Sequence, residues 1–186
     1  MENGDTQNIR LGTCNVYFGE EGSEEFMGFT IGGVEAEVST EVQDSMVDQF
    51  GDTPVKSKIR GRTVMARMQL AETTVENMVK VMPGAELLTT NGKRAVVKTG
   101  IGVDLLKEAK SLILRPVELD DRENTANADK SEDFRIPRAS TPGGLNFAYS
   151  SENERVLNTE FKGYPTSAGV MFEYGDPAAT LSLIHI

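Results

Sequence analysis

The chain has 186 residues, a formal net charge of −10 and 38% hydrophobic residues, a composition typical of one soluble globular domain. No apolar run approaches the roughly 18 residues that a membrane-spanning helix needs, and the acidic, polar N-terminus carries no secretory signal. We therefore expect a protein of the producing cell's cytoplasm that does not bind membranes. The 29 acidic against 19 basic residues also argue against a surface that grips nucleic acid, although solubility alone would explain an acidic surface.

The residues that usually carry enzyme chemistry are scarce. Cys14 is the only cysteine and alternates with Val16 and Phe18, which favours a small buried residue over a reactive thiol. The only histidine is His185. This argues against histidine-dependent nucleophiles and the common zinc and iron sites, and leaves open only a carboxylate-only or lysine-based enzyme. We predict no catalytic residue, no metal site and no cofactor.

The last six residues, 181–186, read Leu-Ser-Leu-Ile-His-Ile and differ in character from the rest of the chain. They are the translation of CTGTCTCTTATACACATC, an end sequence used in transposase-based library preparation. A translated sequencing adapter is therefore our interpretation of 181–186, and a native apolar strand is the alternative. The predicted native domain is 1–180, which also removes His185 from consideration.

Period-two alternation gives the clearest strand of the chain. The apolar residues of this strand alternate with acidic and polar ones, which predicts one buried and one wet face. The apolar positions are Val34, Ala36, Val38 and Val42, and the intervening acids are Glu35, Glu37 and Glu41.

Other short β-rich stretches follow at intervals of about 8–12 residues, the spacing of an antiparallel sandwich or barrel. Including the strand above, they predict about nine strands, at 11–18, 26–31, 34–42, 64–70, 94–99, 112–117, 134–136, 145–149, 155–164 and 170–174, the segment 134–136 being only a possible edge strand. One α-helix is expected at about 73–82, with Thr73 and Glu76 at capping-box spacing, and one helical turn at 104–109. The predicted fold class is mainly β, an antiparallel β-sandwich or barrel with one flanking helix.

Two long loops interrupt these elements. The charged, aperiodic loop at 118–133 is predicted to be flexible and solvated, and it lacks the ligand spacing of a calcium loop. The loop at 49–61 is longer than most hairpin loops and contains apolar residues, so we expect an interaction arm. Its candidate contact residues are Phe50, Pro54, Val55, Lys56, Lys58, Ile59, Arg60 and Arg62.

The basic run at the end of this arm opposes the acidic trend of the chain. Contact with nucleic acid would need further basic or stacking aromatic residues nearby, and the sequence offers none. Pairing with an acidic surface on another copy and simple solvation both remain open.

The order of these features resembles that of the major tail tube proteins of long-tailed bacteriophages. The resemblance rests on four stretches: the strand at 11–19 with Gly32-Gly33 and the strand that follows; the Thr53-Pro54 loop through Met82; Leu112-Ile-Leu-Arg-Pro116 with Phe134-Arg-Ile-Pro-Arg-Ala139; and 145–149 through Phe172-Glu-Tyr-Gly-Asp176. These stretches span nearly all of residues 11–176. None is diagnostic alone, and the ordered set carries the resemblance.

The resemblance implies a virion subunit that forms stacked, hexameric rings and a hollow tube through which DNA passes without specific binding. It also implies strands that join around each ring, an arm at 49–61 that reaches the adjacent ring, and contacts with a tape-measure protein and other tail proteins. Glu35, Glu37 and Glu41 would then line the lumen, or else an outer solvated face. Alternatives are another tube-like virion or secretion-tube component, and a monomeric acidic β-sandwich that binds a small molecule or glycan.

Overall fold

The computed structural model describes residues 12–123, 127–145 and 155–179. Its elements, in chain order, are β1 (Cys14–Gly19), β2 (Glu25–Phe26), β3 (Thr30–Ser45), β4 (Lys56–Leu70), α1 (Val75–Val81), β5 (Glu86–Leu88), β6 (Arg94–Val96), β7 (Lys110–Pro116), β8 (Phe134–Ser140), β9 (Leu157–Gly163) and β10 (Glu173–Tyr174). Short 3-10 helices occupy Asp48–Phe50 and Val117–Leu119.

Eight strands form one antiparallel sheet in the order β2-β1-β7-β8-β9-β4-β3, and β10 pairs with β8 beside this path. Strands β5 and β6 form a separate two-stranded ribbon. The predicted fold class, mainly antiparallel β with one flanking helix, is confirmed. The sheet ends at β2 on one side and at the long strand β3 on the other.

The sheet curves around its core. The rings of Phe18 in β1 and Phe161 in β9 lie 4.8 Å apart, although β7 and β8 separate these two strands in the sheet. In a flat sheet, three strand spacings would place them about 14 Å apart. The curvature brings the inner faces of distant strands together, so one sheet encloses the core.

The core follows the alternation along each strand. In β9, every second residue from Leu157 to Gly163 is buried and the residues between them are exposed. Val16, Val64, Ile136 and other apolar residues complete the same cluster. Cys14 packs against this core as a half-buried residue, and burial raises the pKa of its thiol.

Helix α1 is shorter than predicted, and its N-cap is Thr74 rather than Thr73. The Thr74 hydroxyl accepts a hydrogen bond from the Asn77 backbone N–H at 3.2 Å. The Asn77 side chain is buried, and its amide is satisfied because it donates to the backbone carbonyls of Met27 and Glu72, at 2.8 and 3.0 Å. The bond to Met27 attaches the helix to the segment between β2 and β3.

The predicted flexible loop at 118–133 is instead tied to the sheet at both ends by a buried ion-pair network. The Arg115 guanidinium in β7 donates to Asp133 through Nε and Nη2, at 2.8 and 2.6 Å, and to Asp120 at 3.3 Å. The bonds to Asp133 raise the pKa of Arg115. The side chains of Asp120 and Asp133 are buried, so the prediction of a solvated charge run is wrong for these two residues, although residues 118, 122, 123, 127, 129 and 131 are exposed.

The same network reaches β1. Asp120 accepts hydrogen bonds from the Tyr17 hydroxyl and from the Asn15 side-chain amide, each at 2.5 Å. Burial is the main cause that raises the pKa of the Tyr17 hydroxyl, and its hydrogen bond to Asp120 raises it further. Removing one partner of the Arg115–Asp133 ion pair would leave the other charge buried and unpaired, which costs about 3–5 kcal/mol. The network therefore anchors the loop firmly to the sheet.

Several sequence predictions differ from the structure in detail. Strand β5 was not predicted at all, whereas the predicted single helical turn at 104–109 is present, with the backbone N–H groups of Lys107 and Glu108 both donating to the Asp104 carbonyl. Most of the predicted strand at 145–149, together with residues 181–186 and His185, falls outside the described residues. In the part of the chain that the structure describes, no helix is long and apolar enough to cross a membrane.

The position of the helix cap can be tested directly. Thr74→Ala should lower the free energy of unfolding by about 1 kcal/mol, because the Asn77 N–H loses its acceptor. Thr73→Ala is the matched control, since the Thr73 hydroxyl accepts only an exposed bond from Arg155, and it should cost less. Urea denaturation measures both, and a larger loss at Thr73 would contradict the observed cap.

Candidate self-assembly interface

Strands β3 and β4 form one long hairpin. Their register runs from Thr30 opposite Leu70 to Ser45 opposite Lys56, and residues 46–55 close the tip. At about 3.3 Å per residue, the 16 residues of β3 extend roughly 50 Å if fully straight. The hairpin is therefore the longest element among the described residues.

Only the base of the hairpin is supported by the rest of the sheet. Strand β9 pairs with β4 over Met65–Leu70, and no described strand other than β3 pairs with β4 over residues 56–64. Strand β3 ends the sheet, so its outer edge is unpaired among the described residues. We call residues 39–63 the arm, since they form a two-stranded ribbon with two open edges.

The predicted bounds of the loop, 49–61, are therefore wrong. Residues 56–61 belong to β4, and the remaining loop is the tip of the hairpin. The strand lacked period-two alternation in the sequence because both of its faces are exposed there. The structure nevertheless places all eight predicted contact residues on the arm: Phe50 in the 3-10 helix, Pro54 and Val55 in the tip, and Lys56, Lys58, Ile59, Arg60 and Arg62 in β4.

One face of the hairpin continues the core outwards and carries apolar residues as far as Val42 and Ile59. Ala36 opposes Ala66 and Val38 opposes Val64, and both β4 residues are fully buried. Further out, Val42 and Ile59 oppose each other and are 56% and 59% exposed. We call Val38, Val42 and Ile59 the apolar stripe. The prediction that Val38 and Val42 face a buried interior is wrong for the isolated chain.

A β-bulge places Ile59 on the same face as Val42. Glu41 opposes Gly61 whereas Val42 opposes Ile59, so Arg60 is the extra residue of β4. Without the bulge, Arg60 would oppose Val42 and Ile59 would lie on the other face. The pair of Thr40 and Arg62 lies on this face between Val38 and Val42, so the stripe consists of two apolar patches. The position of Ile59 beside Val42 could not be predicted from the sequence, because the extra residue of the bulge interrupts the period-two alternation of β4.

The opposite face of the hairpin carries Glu35, Glu37 and Glu41, as the alternation predicted. Sequence reasoning missed Arg67, which lies among these acids. Its guanidinium donates to Glu160 of β9 and to Glu37, each at 2.9 Å, and lies 3.9 Å from Glu35. The bonds to Glu160 and Glu37 raise the pKa of Arg67. This face is therefore less acidic than β3 alone suggested.

No group of three or more histidine, cysteine, aspartate or glutamate residues that could hold a metal ion occurs in the described ranges. A shallow, open cavity of about 540 Å³ lies between the base of β3 and β9, with Gly32, Gly33, Gln69 and Asn158 among its lining residues. The arm, in contrast, exposes the large apolar side chains of Val42, Phe50, Val55 and Ile59.

No protein-family model matches the chain, and no curated protein matches it. Nine chains of solved structures match. One of them is described as "Crystal structure of Hcp protein", with 12% sequence identity and a TM-score of 0.31, over 88% of this chain and 98% of that chain. A similarity of this size supports no conclusion about function.

The exposure of the apolar stripe gives a stability test. Val42→Ala and Ile59→Ala should each change the free energy of unfolding of the dilute chain by no more than about 0.5 kcal/mol, because both side chains face solvent. Val64→Ala, on the same face but fully buried, should cost about 2 kcal/mol. Urea denaturation distinguishes the two sites, and equal losses would mean that the stripe is covered in the free chain.

Proposed function

We propose that this chain is a structural subunit that assembles with copies of itself into stacked rings, forming the tail tube of a long-tailed bacteriophage. The single observation that carries the proposal is the arm, a protruding ribbon with two open edges and an exposed apolar stripe. In this proposal the chain performs no catalysis and needs no cofactor. Its location is the virion tail, and its assembly takes place in the cytoplasm of the host bacterium.

The open edges favour a partner of the same chemistry. A long, exposed strand edge with an apolar face is an aggregation hazard that monomeric proteins blunt or cover. Pairing with the next copy around a closed ring would remove both edges, as closure does in a barrel. The same contact would cover the apolar stripe, since the stripe continues the face that packs into the core.

The charge of the chain suits a conduit for DNA. With a net charge of −10, a tube of many copies would repel phosphate rather than bind it. In this proposal Glu35, Glu37 and Glu41 face the lumen, and Arg67 holds two of these carboxylates in place. The tape-measure protein and other tail proteins would be further partners, on the strength of the resemblance noted from the sequence.

Self-assembly can be examined directly. Negative-stain electron microscopy of the full chain at high concentration, with light scattering for mass, should find rings or tubes with a central channel. Within such tubes, Glu35→Lys should raise the binding of short duplex DNA, whereas Lys107→Glu on the body should not. A chain that stays monomeric at every concentration, with a small molecule or glycan bound in a polar cavity, would favour the monomeric binding module instead.

A further inference from the structure

The charges of the hairpin are segregated by strand. Strand β3 contains four acidic residues and no basic one, namely Glu35, Glu37, Glu41 and Asp44. Strand β4 contains five basic residues and no acidic one, namely Lys56, Lys58, Arg60, Arg62 and Arg67. One open edge of the arm is therefore bordered by acids and the other by bases.

These charges are not arranged to neutralise each other within the hairpin. Cross-strand partners are the positions where opposite charges stabilise a pair, yet the bases of the arm face neutral residues. Lys56 opposes Ser45, Lys58 opposes Gln43 and Arg62 opposes Thr40.

The acids of the arm follow the same rule. Glu41 opposes Gly61, and Asp44 opposes Ser57, whose hydroxyl donates to it at 2.6 Å. The one directly opposed acid–base pair, Glu35 and Arg67, lies at the supported base of the hairpin.

The four bases of the arm also find no partner elsewhere on the described chain. No ion pair within the described ranges involves Lys56, Lys58, Arg60 or Arg62, whereas Lys80, Lys98 and Arg135 on the body each contact a carboxylate. A chain with a net charge of −10 offers many acids for such pairs. The arm thus keeps its positive edge available for another molecule.

We propose that arms of neighbouring copies bind side by side, with the basic β4 edge of one copy against the acidic outer edge of β3 in the next. This proposal deepens, and rests on, the assembly proposed above. When all arms point the same way, β4 of one copy lies antiparallel to β3 of the next, as it does within the hairpin. The bases and acids then approach across the new strand pair.

The segregation gives the contact a direction. Each copy presents a different edge on each side, so the interface is heterologous and repeats head to tail instead of stopping at a two-fold dimer. Two copies that meet through identical edges would place like charges opposite each other, which disfavours that pairing. The arms of one chain type can therefore extend around a ring in one sense only.

Charge reversal on each edge tests the proposal. One variant carries Lys56→Glu, Lys58→Glu and Arg60→Glu, so that both edges are acidic, and a second carries Glu41→Lys and Asp44→Lys, so that both are basic. Each alone should assemble at a critical concentration at least roughly tenfold above wild type, because like edges meet. An equimolar mixture should assemble at about the wild-type concentration, and native mass spectrometry should find the two chains in equal amounts.

The control for net charge is Arg94→Glu with Lys98→Glu and Lys107→Glu, three exposed residues outside the hairpin, which changes the charge by the same amount as the acidic-edge variant. It should assemble like wild type, and urea denaturation should find all variants folded. If wild type assembles and the two edge variants also assemble alone, or fail to rescue each other, the edge pairing is wrong while self-assembly stands. If wild type never assembles, both proposals fall.

Discussion

Backbone hydrogen bonding is the constraint on which the rest of this structure depends. A curved sheet that does not close must end somewhere, and here it ends on a strand of 16 residues whose outer N–H and C=O groups have no partner in the described chain. The opposite end of the sheet is only the two-residue strand β2. The sheet therefore has one short, protected end and one long, open end, and the open end carries the arm.

The core and the arm are two parts of the same sheet face. Val64 and Ala66 are fully buried because they belong to the core cluster that the curved sheet encloses, in which Phe161 of β9 lies directly opposite Ala66. Beyond the end of β9 no described element covers the face, and Val42 and Ile59 reach solvent. The bulge at Arg60 keeps these side chains on the face that the core has already defined, so a neighbouring copy would extend an existing core rather than create a new one.

The sequence predicted what local periodicity can encode. The strand that contains Val34 and Glu35 was predicted correctly because apolar and acidic residues alternate along β3. The helix was predicted correctly because its apolar residues are regularly spaced. Residues 56–61, at the N-terminal end of β4, were assigned to a loop because a strand exposed on both faces has no period-two alternation to detect. Arg67 among the acids, and the Arg115 network that anchors 118–133, depend on residues far apart in the chain, and no local pattern reports such contacts.

The role of the open edge of β3 in assembly can be tested by amide hydrogen exchange of the full chain at low and at high concentration. Pairing between copies predicts that the outward-directed amides of Thr30–Ser45 and 56–64, which form no hydrogen bond within the hairpin, exchange fast when dilute and gain protection as the chain assembles. Amides of β7, inside the sheet, should be protected at both concentrations. Assembly with unchanged exchange in β3 and β4 would contradict the central role of the arm, because the contacts between copies would then lie elsewhere on the molecule.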